Sequence, residues 1–503
     1  MPDILERIVS LRRDDYLRLG ASFGVPLPNV RKRPLVPFLA KPGAVLEIKR
    51  ASPSKGAIAM DLDPIQLRDQ YIQAGARQIS VLTEQRFFKG SLEDLVAAST
   101  GDTTTAFLRK DFILYPDELE VSYRCGADAV LLIARILPLP LLKELVERCC
   151  SLGMVPLVEI REQEDRVKLS AVAKDFPVVA GVNSRDLATF RVDPLVPAGL
   201  IGTLPCKAIF ESGLSSPEAC RFARQLGYAG ILIGEAAARD PLRAGLLVDA
   251  FLQAQPDRAG GFWRKIAEKV GSRPALVSST RAIRRPLVKI CGLTTVEDAL
   301  YAARAGADLL GFVCTATSPR CAHAAVVREC ARRLRSSSST APLLVAVVVE
   351  TESEEARAAL QLAREGVLDG IQYHGESPDV DLDRTGNNGA DGVFGRYLVV
   401  RLGSEGDLHT VQTHRVQGEP RILVDARSEK QAGGTGQLIP SALVHAVASR
   451  GHLWLAGGLN PLNVRAVIDE FQPELIDVSS GVELAPGVKD PRLIDQLFKE
   501  ISR

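Results

Sequence analysis

Residues 208–213 read Ala208-Ile209-Phe210-Glu211-Ser212-Gly213, and residues 230–235 read Gly230-Ile231-Leu232-Ile233-Gly234-Glu235. Each run stays apolar to its end and then turns abruptly to acid and glycine. A strand that is apolar at every position is buried on both faces, as in a parallel sheet covered by helices, and the polar turn after it opens a functional loop. Toward the N-terminus the pattern recurs in Val45-Leu46-Glu47-Ile48-Lys49, Gln78-Ile79-Ser80-Val81-Leu82, Ala106-Phe107-Leu108-Arg109-Lys110, 129–133, 155–160 and 178–183. These eight runs return about every 20 to 35 residues, with helix-compatible stretches such as 116–124 and 141–150 between them. That rhythm predicts a closed (β/α)8 barrel.

From Leu287 the series starts again, with runs at 288–291, 309–314, 343–349, 370–374, 397–402, 421–425, 453–458 and 475–480. The fold class is therefore α/β, two consecutive (β/α)8 TIM barrels over 1–255 and 285–503, with the Arg-, Ser-, Gly- and Pro-richer 256–284 as linker. A chain of 503 residues accommodates two large barrels. Segments 335–339 and 376–396 read as solvated loops. Lys and Arg number 62 against 61 Asp and Glu, a net charge of +1, which argues against nucleic acid as a partner. The nine cysteines form no CxxC pair and no zinc-like spacing with His, so neither structural zinc nor a disulfide framework is expected. No apolar run approaches the roughly 18 to 20 residues that span a bilayer. The chain reads as cytoplasmic, without membrane partner, and compatible with a monomer.

Strand carboxyl ends are where such barrels place their chemistry. In the first series they carry Glu47, Lys49, Lys110, Glu159 and Glu211, with Lys55 in the first loop. No His precedes residue 323, so acid and base work here falls to Lys and carboxylates. Rim ion pairing is the plain alternative for any one of these charges, and a ring of them on successive strand ends weakens it. The glycines after the seventh and eighth strands let backbone N–H groups approach an anion, which predicts a phosphorylated substrate.

The motifs Glu47 to Gly56, Phe107 to Phe112 with its Lys110-Asp111-Phe112 centre, Leu157-Val158-Glu159, Gly181 to Arg185 and Glu211-Ser212-Gly213 together resemble indole-3-glycerol-phosphate synthase over about 1–255. The resemblance implies ring closure of 1-(2-carboxyphenylamino)-1-deoxyribulose 5-phosphate with loss of CO2 and water. Under it Lys110 is the general acid, Glu159 the base, and Glu47 stabilises or protonates intermediates. Lys49 or Arg185 takes the substrate carboxylate. Asn183, Glu211 and Ser212 complete the polar wall, Phe88, Phe112 and Leu131 pack on the aromatic ring, and Ser54, Gly213, Gly234 and Glu235 hold the phosphate. Glu235 stands where some relatives have Ser.

In the second series Cys291 follows Lys289-Ile290, and Asp425 ends an unbroken Ile-Leu-Val run. A lone Cys is more often an inert hydrophobe, but a carboxylate so placed is costly without a task. Thiol and acid from separated strands can flank a small substrate, one removing a proton and the other donating one. Ala456-Gly457-Gly458-Leu459, Ser479-Ser480-Gly481 and Gly433-Gly434-Thr435-Gly436 supply backbone donors for phosphate. His374 fits equally a structural role or a substrate contact.

These motifs, with Thr317-Ser318-Pro319-Arg320 and Pro486 to Asp490, resemble phosphoribosylanthranilate isomerase over about 285–503. The resemblance implies an Amadori rearrangement with Asp425 as acid and Cys291 as base. Arg320 would bind the anthranilate carboxylate, and Gly434, Gly457, Gly458, Ser480 and Gly481 the phosphate. Two features depart from the usual pattern: Gln437-Leu438-Ile439-Pro440 replaces an aromatic-acid-Trp segment, and the polar insert 376–396 is long. The isomerase product would be the synthase substrate, so the two barrels would run consecutive steps of tryptophan biosynthesis in reverse order along the sequence, requiring neither metal nor organic cofactor. The rivals are an Amadori isomerase of histidine biosynthesis, which expects two carboxylates, and a non-catalytic phosphosugar-binding protein, which the intact acid and base residues disfavour.

Overall fold

The structure, a computed structural model, describes residues 4–53, 55–276, 283–335, 341–375, 394–426 and 438–503. The chain divides into two compact units, Met1–Pro256 and Asp257–Arg503.

In the first unit the parallel strands are β1 (Gly43–Ile48), β2 (Gln78–Leu82), β3 (Ala106–Lys110), β4 (Ala129–Ile133), β5 (Val155–Ile160), β6 (Val179–Asn183), β7 (Ala208–Glu211) and β8 (Gly230–Ile233). They pair in sequence and close when β1 pairs with β8. Most residues of these strands are buried, so the apolar runs reflect helices on one side and a filled barrel interior on the other. The helices between start where the chain offers a cap. Asp63, Ser91 and Ser216 accept backbone N–H groups of the following turn, and Glu162 with Asp165 forms a capping box.

The second unit repeats the plan with β9 (Leu287–Ile290), β10 (Leu309–Val313), β11 (Leu343–Val348), β12 (Gly370–Tyr373), β13 (Gly395–Leu402), β14 (Ile422–Ala426), β15 (Trp454–Leu455) and β16 (Leu475–Val478). It closes through β9 and β16. All sixteen apolar runs are thus barrel strands. The last two are shorter than expected: β15 stops before Gly457 and Gly458, whose φ values of +92° and +64° leave the extended region, and Ser480–Val482 turns into a 3-10 helix.

The stretch 256–284 contains more than a connection. Asp257 caps a helix over Arg258–Gly271, and its Phe262 and Trp263 are buried in the second unit. Phe262 stacks on Tyr397 at 6.3 Å between ring centres, and Trp263 lies 6.1 Å from Trp454. A Cβ at Gly370 or Gly395, the first residues of β12 and β13, would come within 2.8 and 2.3 Å of Phe262. Two glycines thus admit one ring to the amino end of this barrel, away from the strand ends that bear chemistry.

Candidate active sites

Along a strand side chains alternate, so Glu47, Lys110, Glu159 and Glu211 point inward while Arg109 and Asp111 face the helices. These four inward groups sit on β1, β3, β5 and β7, the alternate strands that supply one layer of such a barrel. Lys110 Nζ lies 2.7 Å from Glu211 Oε2 and 3.4 Å from Glu159 Oε2. Lys49 Nζ lies 3.2 Å from Glu47 Oε1. Burial opposes the Lys110 ammonium, but Glu211, Glu159 and Glu47 outweigh it and hold its pKa well above the usual lysine range. Burial pushes the Glu211 carboxyl up to about 7 despite the Lys110 charge. The layer thus keeps one ammonium, a proton donor, among three acids.

Missing side chains make this layer possible. A Cβ at Gly181 would lie 2.1 Å from Glu211 Oε1, and one at Gly234 2.6 Å from Glu47 Oε1. Gly234 therefore clears space for an acid as well as opening the last loop.

On the same side Phe88 and Phe112 are 6.2 Å apart between ring centres, with Lys49 Nζ 5.6 Å from the Phe88 centre. Leu131 is buried and shares the inward face of β4 with Ile133. Ile133, Glu159, Asn183 and Arg185 line one cleft. Asn183 Oδ1 accepts the Arg185 N–H at 2.9 Å, and burial lowers the Arg185 pKa from its ordinary value. Ser212 and Gly213 both adopt left-handed backbone, φ +71° and +77°, and Ser184 Oγ donates to the Ser212 carbonyl at 2.9 Å. A non-glycine residue held at positive φ marks a constrained turn. Glu235 pairs with Arg239 at 3.2 Å, so its carboxylate has a partner of its own. Ser54 lies outside the described residues.

In the second unit Cys291 follows β9 and is buried, and its N–H donates to the Val478 carbonyl at 2.9 Å. Burial holds its thiol above the ordinary range, with Lys289 acting in the opposite direction. On β14, burial pushes Asp425 up to about 6, while its Oδ1 accepts the Ala426 N–H at 2.8 Å. A Cβ at Gly457 would lie 3.0 Å from that same oxygen, so the glycine after β15 clears the acid. His374 Nε2 is 3.7 Å from Asp425 Oδ2. Burial and the charges of Arg401 and Lys289 lower the His374 pKa to about 3, so a neutral imidazole lies beside the acid.

Arg320 runs across the turn after Cys291. A Cβ at Gly292, φ +74°, would come within 2.8 Å of Arg320 Cδ. Its guanidinium is already engaged, with Nε 3.0 Å from Glu483 Oε1 and Nη2 2.8 Å from Oε2. Lys489 Nζ also binds Glu483 Oε1, at 2.8 Å. Gly481 packs so closely on the Leu459 carbonyl that a Cβ would lie 1.9 Å from it, which joins the Gly457-Gly458 turn to the Ser480-Gly481 turn. Gly434 and the rest of its loop lie outside the described residues.

Residues 32–244 match the indole-3-glycerol phosphate synthase family, and residues 288–500 the N-(5'-phosphoribosyl)anthranilate isomerase family. A tryptophan biosynthesis protein of Phytophthora nicotianae is 33% identical over 87% of this chain and 87% of its own length. The chain belongs to this family of two-domain tryptophan-biosynthesis enzymes. Multifunctional tryptophan biosynthesis proteins of Schizosaccharomyces pombe and Phycomyces blakesleeanus are each 31% identical, over 88% and 90% of this chain. The chain spans only 57% and 62% of the length of those two.

The synthase and isomerase domains also hold charged residues that sequence reading passed over. In the synthase domain Arg135 and Arg161 line the cleft of Glu159, and Arg161 donates to the carbonyls of Asn183 and Ser184 at 3.0 and 2.7 Å. Both arginines follow strand ends, the rule that singled out Glu159. In the isomerase domain Lys289 contacts the Cys291 sulfur and is held by Asp477 and Gln372, the charge of Arg401 acts on Asp425, and Glu483 holds Arg320. Lys289 and Asp477 are the next-to-last residues of β9 and β16, as Glu159 is of β5 and Asp425 of β14, so the strand-end rule applied evenly would have reached them too.

Proposed function

We propose that the C-terminal barrel isomerises N-(5-phosphoribosyl)anthranilate and that the N-terminal barrel closes the product to indole-3-glycerol phosphate with loss of CO2 and water. The observation that supports it is one complete acid and base set on the strand ends of each barrel. In the isomerase, Asp425 protonates the furanose oxygen as the ring opens to a Schiff base. Cys291 then removes the C2′ proton, and the enolamine settles to the ketone. A carboxyl raised by burial suits the donor role, because it keeps its proton nearer neutrality.

In the synthase, Lys110 donates to the substrate carbonyl as the aromatic carbon attacks. CO2 departs, and loss of the hydroxyl as water, with Glu159 as base, completes the ring. Lys49 and Arg185 are the cations for the substrate carboxylate, while Glu47, Asn183, Glu211 and Ser212 form the polar wall. Phe88, Phe112 and Leu131 offer the apolar face, and the turns at Gly213 and Gly234 the phosphate donors, with Ser54 and Glu235 as further contacts. In the other barrel Arg320 takes the anthranilate carboxylate by exchanging or sharing Glu483, His374 borders the substrate, and the Gly434, Gly457-Gly458 and Ser480-Gly481 turns hold phosphate.

A mass-spectrometric time course of the whole chain with freshly made phosphoribosylanthranilate, without added metal, tests the reading. A product lighter by CO2 and water is expected. Isomerisation at constant mass would remove the synthase assignment, and an unconsumed substrate would remove both.

A further inference from the structure

Beneath Cys291 the isomerase barrel encloses charged groups that the proposed reaction leaves unused. Lys289 has no exposed side-chain surface, and its Nζ lies 2.7 Å from Asp477 Oδ2 and 3.4 Å from Cys291 Sγ. The same ammonium donates to Gln372 Oε1, which also accepts the Tyr397 hydroxyl at 2.9 Å. Asp477 Oδ1 has no hydrogen-bond partner among the described residues. A Cβ at Gly311 would lie 2.7 Å from Cys291 Sγ and 2.8 Å from Lys289 Cε. A glycine in β10 thus keeps open the space in which ammonium and sulfur meet.

A buried lysine is costly unless its charge is paired and used. Asp477 alone would pair it, yet the ammonium is shared with a sulfur two residues along the same strand face. We infer that Lys289 is a positioning residue for the isomerisation: it donates a hydrogen bond to Cys291 Sγ, stabilises the thiolate that removes the substrate proton, and is itself held by Asp477, Gln372 and Tyr397. This rests on the reading of Cys291 as the base. The other groups around the sulfur are Lys489, whose charge acts in the same direction, Asp477, which opposes it, Cys314 after β10 and the Tyr397 hydroxyl, while the Arg320 side chain packs on the following Gly292.

The test uses the full chain and follows iodoacetamide alkylation of Cys291 by peptide mass spectrometry across pH, beside the pH profile of isomerase kcat/KM. Removing an opposite charge at this distance moves a titration by roughly one to three pH units. Lys289→Met is expected to raise the Cys291 alkylation midpoint and the matching kinetic limb by that amount, Lys289→Arg to hold both near wild type, and ring closure of added intermediate to stay unchanged. Asp477→Asn, which removes the opposing charge, is expected to lower the midpoint and keeps the inference testable should Lys289→Met not fold. Midpoints that stay put in Lys289→Met, or in Asp477→Asn where the first variant is insoluble, would overturn the role of Lys289. Full isomerisation by Cys291→Ala would overturn instead the underlying assignment of the base.

Discussion

At Lys110 a single ammonium faces three carboxylates, and at Cys291 and Asp425 a thiol and a carboxyl have both been moved upward by burial. Their consequences separate cleanly by variant. Lys110→Ala is expected to lower ring closure by roughly 10²- to 10⁴-fold and spare isomerisation, and Cys291→Ala to do the reverse, in steady-state assays of each half reaction. Equal loss of both activities in either variant would mean a folding defect or a wrong assignment. The pH dependence of isomerisation follows from the required protonation states. The productive form carries Asp425 protonated and Cys291 as thiolate, with the acid titrating at about 6 and the thiol above its ordinary range. Below about 6 the thiolate fraction falls tenfold per pH unit while the acid gains nothing. Above it, loss of the acid and gain of the thiolate cancel until the thiol titrates. Isomerase kcat/KM should therefore rise with pH up to about 6, stay level until the thiol titrates and fall above that, and an increase as the pH is lowered below about 6 would contradict the assignment.

The elements show why most of the plan could be read from sequence and why part could not. Strands buried on both faces leave unbroken apolar runs with abrupt ends, so the sixteen strands and the polar groups closing them stand out, among them Lys110, Glu159, Cys291 and Asp425. The helix Arg258–Gly271 does not, because Gly260 and Gly261 in its first turns depress helix propensity and Phe262 matters only once Gly370 and Gly395 are brought beside it. Nor does sequence reveal that Arg12, on the first helix, lies 2.8 Å from Asp111 and 3.1 Å from Glu118, or that Arg109 meets the same acids at 3.0 and 3.5 Å. These ion pairs are buried and flank Lys110 from the outer side of β3. Arg12→Met leaves two buried acids with one cation, a loss of about 3 to 5 kcal/mol. Urea unfolding should show a destabilised synthase unit with isomerase activity retained. Gly181→Ala tests the layer itself, since its Cβ meets Glu211 Oε1 at 2.1 Å. Overpacking of this kind costs about 1 to 3 kcal/mol. Displacing Glu211 from Lys110 should reduce ring closure far more than it reduces stability; normal turnover would show that the Lys110–Glu211 contact is dispensable.

For the whole chain, the decisive feature is that every proposed catalytic contact among the described residues is made within one compact unit, Met1–Pro256 or Asp257–Arg503. Neither acid and base set borrows a residue from the other barrel. A chain with one disabled site should therefore keep its other site intact, and the intermediate, a small phosphorylated ketone, can travel through solvent between chains. Mixing the Lys110→Ala and Cys291→Ala variants should then restore conversion of phosphoribosylanthranilate to indole-3-glycerol phosphate. The signature is a lag that shortens as both variants are raised together, because the intermediate must first accumulate toward the KM of the intact synthase. Wild-type chain with the same number of active sites should reach the same final rate. If the mixture made the ketone yet never closed it, while the Cys291→Ala variant still closed added ketone, free exchange would be refuted and transfer would have to occur within a chain.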